Sequence, residues 1–369
     1  MNQSAESITG VLVLFEQGDG ELSDPNRSFR PGPRRIWVPR RLIRDFALPQ
    51  GASVTGPIRE VRQGLELTGV TAICGLAPDV FARRRPFKEL TPVDPTERFR
   101  LGDTSEMSMR VVDLVAPIAK GTRALIVAPP KAGKTMLLMS IARAIRANDA
   151  NARIIVVLID ERPEEVTHFR RGVEAEVLAS SKDQSPEEHI ELAAITLDHV
   201  RTELECGRDV ILLVDSLTRM GRAFNVMGSG TGRTMTGGLE AGVLDVPRRF
   251  FGLARHVEEG GSVTIVATAL VETGSRMDEL IFQEFKGTGN SEIVLDRTLA
   301  EARIFPAVDI SRSGTRKEEL LYSDDERKRI ALVRKALAGR KPASAMQALL
   351  KALEPHKNNK AFLKSIAID

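Results

Sequence analysis

Residues 128–135 read "APPKAGKT", a short loop rich in proline, glycine and lysine that ends on a hydroxyl. Residue types in that order suit a phosphate. Backbone N–H groups of a tight loop, and of the helix that follows it, point at anionic oxygens. Lys134 would pair with β/γ-phosphate oxygens, and the Thr135 hydroxyl would ligate Mg²⁺. The strict phosphate-loop pattern begins with glycine, where this chain has Ala128. A second string, "VILLVDS" at 210–216, ends an apolar run on Asp215. A carboxylate so placed lies near the Mg²⁺ of a phosphate-loop enzyme. A third, "LIDERPEEV" at 158–166, sets Glu161 just past an apolar run. Ligands bind at the carboxyl ends of strands in open α/β sheets, so Glu161 could polarise an attacking water. Asp160 or Glu161 could equally cap a helix that starts at Pro163. Arg162 beside them could touch phosphates or a neighbouring subunit.

Such side chains need strands and helices to hold them. "ALIVAPP" is followed by the helical "KTMLLMSIARAIRAN", and "RIIVVLIDE" by "PEEVTHFRRGV". "HIELAAITLDHVRTELECG" then leads into "DVILLVDS", and "SVTIVATAL" comes later. Near-continuous apolar strands between amphipathic helices predict an α/β fold with a parallel sheet covered on both faces. Residues 324–369 show a 3.6 period and are expected to be mostly helical. Residues 10–88 read differently. Short β-branched or apolar runs broken by Gly, Pro and Asp predict a small barrel of the OB or cold-shock kind. The expected organisation is a tail at 1–9, the barrel at 10–88, a linker at 89–118 and an ATPase domain with C-terminal helices at 119–369.

The 369 residues, 42% hydrophobic and 28% charged, suit a globular chain with a large core. No run of eighteen apolar residues occurs, so no membrane partner is expected. The start, "MNQSAESITG", lacks a basic stretch followed by an apolar one, so it does not read as a secretory signal. Cys74 and Cys206 are expected to be free thiols in a reducing cytoplasm. Five scattered histidines give no metal-ligand spacing. The net charge of +3 decides little, but local charge is telling. Residues 25–44 hold Arg27, Arg30, Arg34, Arg35, Arg40, Arg41 and Arg44 and no acid, and "ARRRPFK" follows at 82–88.

Longer strings carry a resemblance. "APPKAGKTMLL", "LIDERPEEV", "DSLTR", "TGGLEAGVL", "RRFFGLAR", "VEEGGSVTI", "TGSRMDEL", "EFKGTGN" and "SGTRKEELL" are similar to those of bacterial transcription termination factor Rho. The likeness is dense from 119 to about 330 and continues more weakly back to Gly10. It implies a ring-shaped hexameric RNA helicase with a RecA-like ATPase domain that uses ATP and Mg²⁺. It implies single-stranded RNA and RNA polymerase as partners. By position it places Ala119, Lys120, Gly121, Thr122, Arg123 and Ala124 at the nucleotide, with Lys131, Ala132, Gly133, Lys134, Thr135 and Arg162. Met136 and Phe305 would sandwich the adenine. Arg316 would be an arginine finger reaching a neighbouring subunit's ATP, with Arg219 a second positive group. Lys286 would lie at the subunit interface. Two loops would line the pore, 226–240 with Arg233, Thr234, Thr236 and Gly237, and 272–279 with Arg276 where the family has lysine. Other readings are a non-translocating relative that binds RNA or polymerase, and a different RecA-like ring such as a rotary ATPase subunit.

The likeness breaks at two places. Rho normally carries a small helical subdomain ahead of its barrel, and only nine residues precede Gly10 here. The turn "GDGEL" normally reads Gly-Phe-Gly-Phe, with aromatics that stack on bases. Asp19 and Glu21 replace them, while Trp37 survives on the neighbouring strand between arginines. A carboxylate does not stack, and a stacked base is worth about 1–3 kcal/mol. The expectation is RNA binding with less stacking and more phosphate contact from Arg34, Arg35, Arg40, Arg41 and Arg44.

Overall fold

A computed structural model of the chain describes residues 6–62, 64–228, 238–240 and 242–368. Six strands form the first sheet: β1 (Ser7–Leu14), β2 (Gly20–Ser23), β3 (Ile36–Val38), β4 (Ser53–Val61), β5 (Gly64–Leu67) and β6 (Ala72–Ile73). They run in the order β1-β2-β3-β5-β4-β6. Pairing of β1 with β4 closes the first five into a barrel. Closure removes the sheet edges, which lets such short strands hold together. Alternation fills the inside: Leu12, Leu22, Val38, Val54 and Leu67 are buried together. Glu21 and Trp37, paired in register across β2 and β3, lie on the other face. Two short helices, α1 (Arg40–Asp45) and α2 (Pro78–Phe81), pack against the barrel.

The second sheet carries β7 (Pro92–Val93), β8 (Arg123–Ala128), β9 (Arg153–Glu161), β10 (Glu176–Ser181), β11 (Asp209–Asp215), β12 (Arg255–Val257), β13 (Ser262–Leu270), β14 (Ser291–Val294) and β15 (Gly314–Thr315). Its main path is β10-β9-β11-β13-β8-β14-β15, parallel from β10 through β14. The central strands are buried along almost their whole length, as a parallel sheet with helices on both faces requires. Those helices are α3 (Met107–Val115), α4 (Lys134–Asn148), α5 (Pro163–Gly172), α6 (Pro186–Glu205), α7 (Leu217–Met227), α8 (Asp245–Gly252), α9 (Arg276–Lys286) and α10 (Arg297–Glu301). Three more, α11 (Asp324–Leu337), α12 (Pro342–Leu353) and α13 (Asn359–Lys364), close the chain. Local signals fix several starts. Ser185 and Glu188 cap α6 reciprocally, and Ser323 and Glu326 do so for α11.

The stretch expected as a linker contributes to this body. Pro92–Val93 pairs with β12, and α3 is buried in the core beneath α4. The barrel sits on α6. The Gly51 carbonyl accepts from His199 Nδ1 at 2.9 Å. The Ala179 N–H donates to Ser28 Oγ at 2.8 Å, and Arg84 Nε to Glu205 at 3.1 Å. At Gly51 (φ +81°) an added Cβ would lie 2.4 Å from the Asp198 backbone, so only glycine allows this approach. Cys74 and Cys206 are free thiols, as the sequence suggests, yet they meet across this seam. A hydrogen bond between them, with burial, pushes the Cys74 thiol up.

Candidate active site

The carboxyl ends of β8, β9 and β11 bring the three sequence motifs together. The loop after β8 turns through Lys131 (φ +66°) and Gly133 (φ +92°) before α4 begins at Lys134. Lys134 Nζ donates to Asp215 Oδ1 and Oδ2 at 2.6 and 2.7 Å and to Glu161 Oε1 at 3.2 Å. The Thr135 hydroxyl donates to Asp215 Oδ2 at 3.2 Å. Asp215 is fully buried and is held from behind by the Thr268 hydroxyl on β13, at 2.7 Å. Arg219 Nε lies 3.3 Å from Glu161 Oε1, because Ser216 caps α7 and sets Arg219 in its first turn. Arg219 also donates to the Asp160 carbonyl.

The electrostatics follow from crowding. Burial opposes the Lys134 ammonium, but Asp215 and Glu161 beside it outweigh burial and raise its pKa. Glu161 moves up as well, to about 7. Burial and the like charge of Asp215 drive that shift, against the opposing pull of Lys134 and Arg219. Glu161 is 1% exposed, and its Oε2 has no hydrogen-bond partner among the described residues. Glu161, Glu165 and Asp215 can each turn an oxygen to within 4.8 Å of the others. This set of hard oxygens, one of them buried and unpaired, fits Mg²⁺. Glu165 and Thr268 join this cluster without a signal in the sequence that marks them. Glu165 reads there as an ordinary first-turn acid of a helix, and Thr268 as one polar residue in an apolar strand.

Met136 and Phe305 are 52% and 47% exposed, and Phe305 lies over Gly133 at the loop. Two exposed apolar side chains beside a phosphate loop suit the faces of a flat base. Lys131 and Arg162 stand exposed at the same end, and Ala132 is buried in the loop.

The group at 119–124 stands apart from the loop within one chain. Ala119, Lys120, Gly121, Thr122, Arg123 and Ala124 lie at or before the amino end of β8, whereas the loop follows its carboxyl end. Ala119, Thr122 and Ala124 are buried, and Lys120 is paired with Glu97 and Asp209. Arg123 donates to the Thr288 and Ala254 carbonyls. A strand rises about 3.3 Å per residue, so they do not share a pocket with Lys134. Arg316 lies at this same far end. Its N–H donates to the Asn290 carbonyl beside β14, and its proximity lowers the Arg123 pKa after burial does. Its exposed side chain has no acidic partner among the described residues.

Other expected groups are scattered. Trp37 is half-buried, and Arg34 and Arg35 are exposed on the barrel. Arg276 begins α9 and is exposed. Arg233, Thr234, Thr236 and Gly237 lie outside the described residues. A pair the sequence does not reveal joins α7 to α9. Arg222 on α7 donates to Asp278 on α9 at 2.8 and 2.5 Å, and Thr273 donates to the same carboxylate at 2.6 Å.

The model of the ATP synthase alpha/beta family, nucleotide-binding domain, matches residues 108–315. Among solved structures, a prototypical ATPase from the type III secretion system of pathogenic bacteria superposes with a TM-score of 0.61 at 23% identity, covering 84% of this chain and 92% of that one. An ATP synthase subunit from Nanoarcheaum equitans gives 0.57 at 16%, covering 78% and 80%. These two likenesses show the fold, a RecA-like one. Sequence relatives reach further. Transcription termination factor Rho of Aquifex aeolicus is 48% identical over 97% of this chain and 84% of its own. That of Pseudomonas aeruginosa is 46% identical over 99% and 89%. The barrel is therefore covered along with the nucleotide-binding domain. The chain belongs, through residues 108–315, to the ATP synthase alpha/beta nucleotide-binding family and, over nearly its whole length, to the family of transcription termination factor Rho.

Proposed function

We propose that this protein is an ATP-driven translocase on single-stranded RNA that works as a homohexamer and terminates transcription by moving toward RNA polymerase. The observation that supports it most is the division of the ATPase machinery between two faces of one chain. Lys134, Thr135, Glu161, Asp215 and Arg219 converge at one end of the sheet. The unpaired Arg316 stands at the other, where it can serve a neighbouring copy's nucleotide and not its own. A finger supplied in trans requires a ring or filament of copies.

ATP would enter with its phosphates over the loop amides, and its base between Met136 and Phe305. Lys134 would leave Asp215 and Glu161 for the β- and γ-phosphate oxygens. Thr135 and Asp215 would hold Mg²⁺, with Glu161 and Glu165 alongside, and the ion would neutralise charge developing on the phosphates. Glu161 orients the attacking water and takes its proton. Arg219 holds Glu161 in place. Arg233, Thr234, Thr236, Gly237 and Arg276 would grip RNA in the pore, while Trp37, Arg34 and Arg35 load it on the barrel.

RNA-stimulated ATP hydrolysis tests the reading. Wild type should turn over ATP faster with single-stranded RNA, Lys134→Ala should not hydrolyse it, and Arg233→Ala should lose the stimulation. A wild-type rate indifferent to RNA would sink the motor reading.

A further inference from the structure

The outer face of the barrel holds a buried acid with one oxygen that accepts no hydrogen bond. Glu21 is 8% exposed, and among the described residues its Oε2 accepts no hydrogen bond. The nearest cation, Arg35 Nε, is 3.7 Å away, beyond hydrogen-bonding distance. An acid left this way is expensive unless something donates to it. Glu21 lines a cavity of about 320 Å³ whose rim carries Arg27, Arg30, Arg34 and Arg35. That is the small end of the range for ligand pockets, about 300–1,000 Å³. Across the β2–β3 register stands Trp37, with the Arg35 guanidinium 5.9 Å from its ring centre and Phe15 meeting it edge-on at 5.9 Å.

An aromatic face, a carboxylate and an arginine side by side describe a nucleobase by its edge. A carboxylate only accepts, so it selects a base that presents donors. Guanine alone offers two adjacent donors, N1–H and N2–H, to the two oxygens of one carboxylate. Beside them it offers the acceptors O6 and N7, which an arginine fork pairs. Adenine and cytosine place a ring acceptor next to their single amino group, and uracil flanks its one N–H with carbonyls. Each would set a lone pair against Glu21. The surrounding arginines suit flanking phosphates.

We propose that Glu21 and Arg35, beside Trp37, form a guanine-reading pocket, so that this barrel selects guanine in single-stranded RNA. This rests on the reading of the barrel as an RNA-loading surface. The test uses the full chain without nucleotide. It compares U-rich oligoribonucleotides carrying one central guanosine, adenosine, cytidine, uridine or inosine, which lacks the N2 donor. Guanosine should bind about tenfold tighter than the others, inosine included, as expected for one good bidentate contact. Glu21→Gln should erase that preference and leave the all-uridine affinity within about twofold. Equal binding of guanosine and inosine, or a preference that survives Glu21→Gln, would show an internal Glu21–Arg35 pair and overturn the inference. Failure to bind any of the RNAs would overturn the RNA-loading reading instead, and the inference with it.

Discussion

The nucleotide end of the sheet and the outer face of the barrel are built on opposite plans. At the first, Lys134 is bonded to Asp215 and Glu161, and Asp215 is bonded in turn to Thr268. At the second, the cations stand in water. Arg34 is paired only with the exposed Glu60, and Arg35 lies near Glu21 without bonding to it. Surface pairs of that kind are worth little, about 0–1 kcal/mol. A buried group cannot be exchanged without orphaning its partner. A group with no hydrogen-bonded partner can, and the barrel is where Asp19 and Glu21 stand in place of the family's aromatics. The proposed phosphate chemistry is locked into the core, and the proposed RNA-choosing surface is left open to revision.

Five measurements sharpen or break that contrast. The largest effect should come from Arg316. Arg316→Ala should lower kcat about a thousandfold or more, and mixing it with Lys134→Ala subunits should restore part of the activity. Loss of activity that such mixing never restores would mean that Arg316 acts within its own chain. Glu161→Gln should lower kcat by about a hundredfold or more, with nucleotide binding kept. Because burial and Asp215 raise the Glu161 pKa to about 7 in the nucleotide-free protein, kcat/KM should climb as pH rises through 7 and the variant's should not.

The seam between the two regions should answer to acid. His199 is fully buried, and burial depresses its pKa to about 4 despite its bond to Gly51. The fold therefore favours neutral histidine. That stability is present above about 6.5, the unfolded value, and is lost as pH falls toward 4. It amounts to about 3 kcal/mol at most. Chemical denaturation followed by the fluorescence of Trp37, the single tryptophan, should show this slope in wild type and lose it in His199→Gln. The smallest effects belong to the barrel face. Trp37→Ala should weaken RNA binding by about 1–3 kcal/mol. Neutralising Arg34 and Arg40 should flatten the log–log salt dependence by roughly 0.7 for each phosphate that an arginine no longer screens. A strong pyrimidine preference that outlasts Trp37→Ala would contradict the altered barrel.

Much of the site is legible in the sequence because its residues close the ends of apolar strands. Lys134, Glu161 and Asp215 each follow such a run, and period-2 and period-3.6 patterns locate those runs. Thr268 and Glu165 escape because their importance arises only when β13 and α5 lie beside β11. The Arg222–Asp278 pair escapes for the same reason, as its partners are 56 residues apart. The segment 119–124 shows the opposite relation. It adjoins the loop in sequence, but a strand separates the two in space. The barrel is legible in its short broken strands. Its seat on α6 is not, since that depends on Gly51, Ser28 and Cys74 meeting residues more than a hundred positions later.

The missing side chain at Gly51 bears on how such a protein diversifies. With no methyl to spare between Gly51 and the Asp198 backbone, a barrel transplanted from a distant relative would seat on this body only if it brought glycine at the matching turn. Exchange of whole modules is thereby restricted, while single substitutions at barrel positions outside that contact are not. Lineages built on this plan would change their RNA preference by point replacement at positions such as 19, 21 and 35, and only rarely by swapping the module.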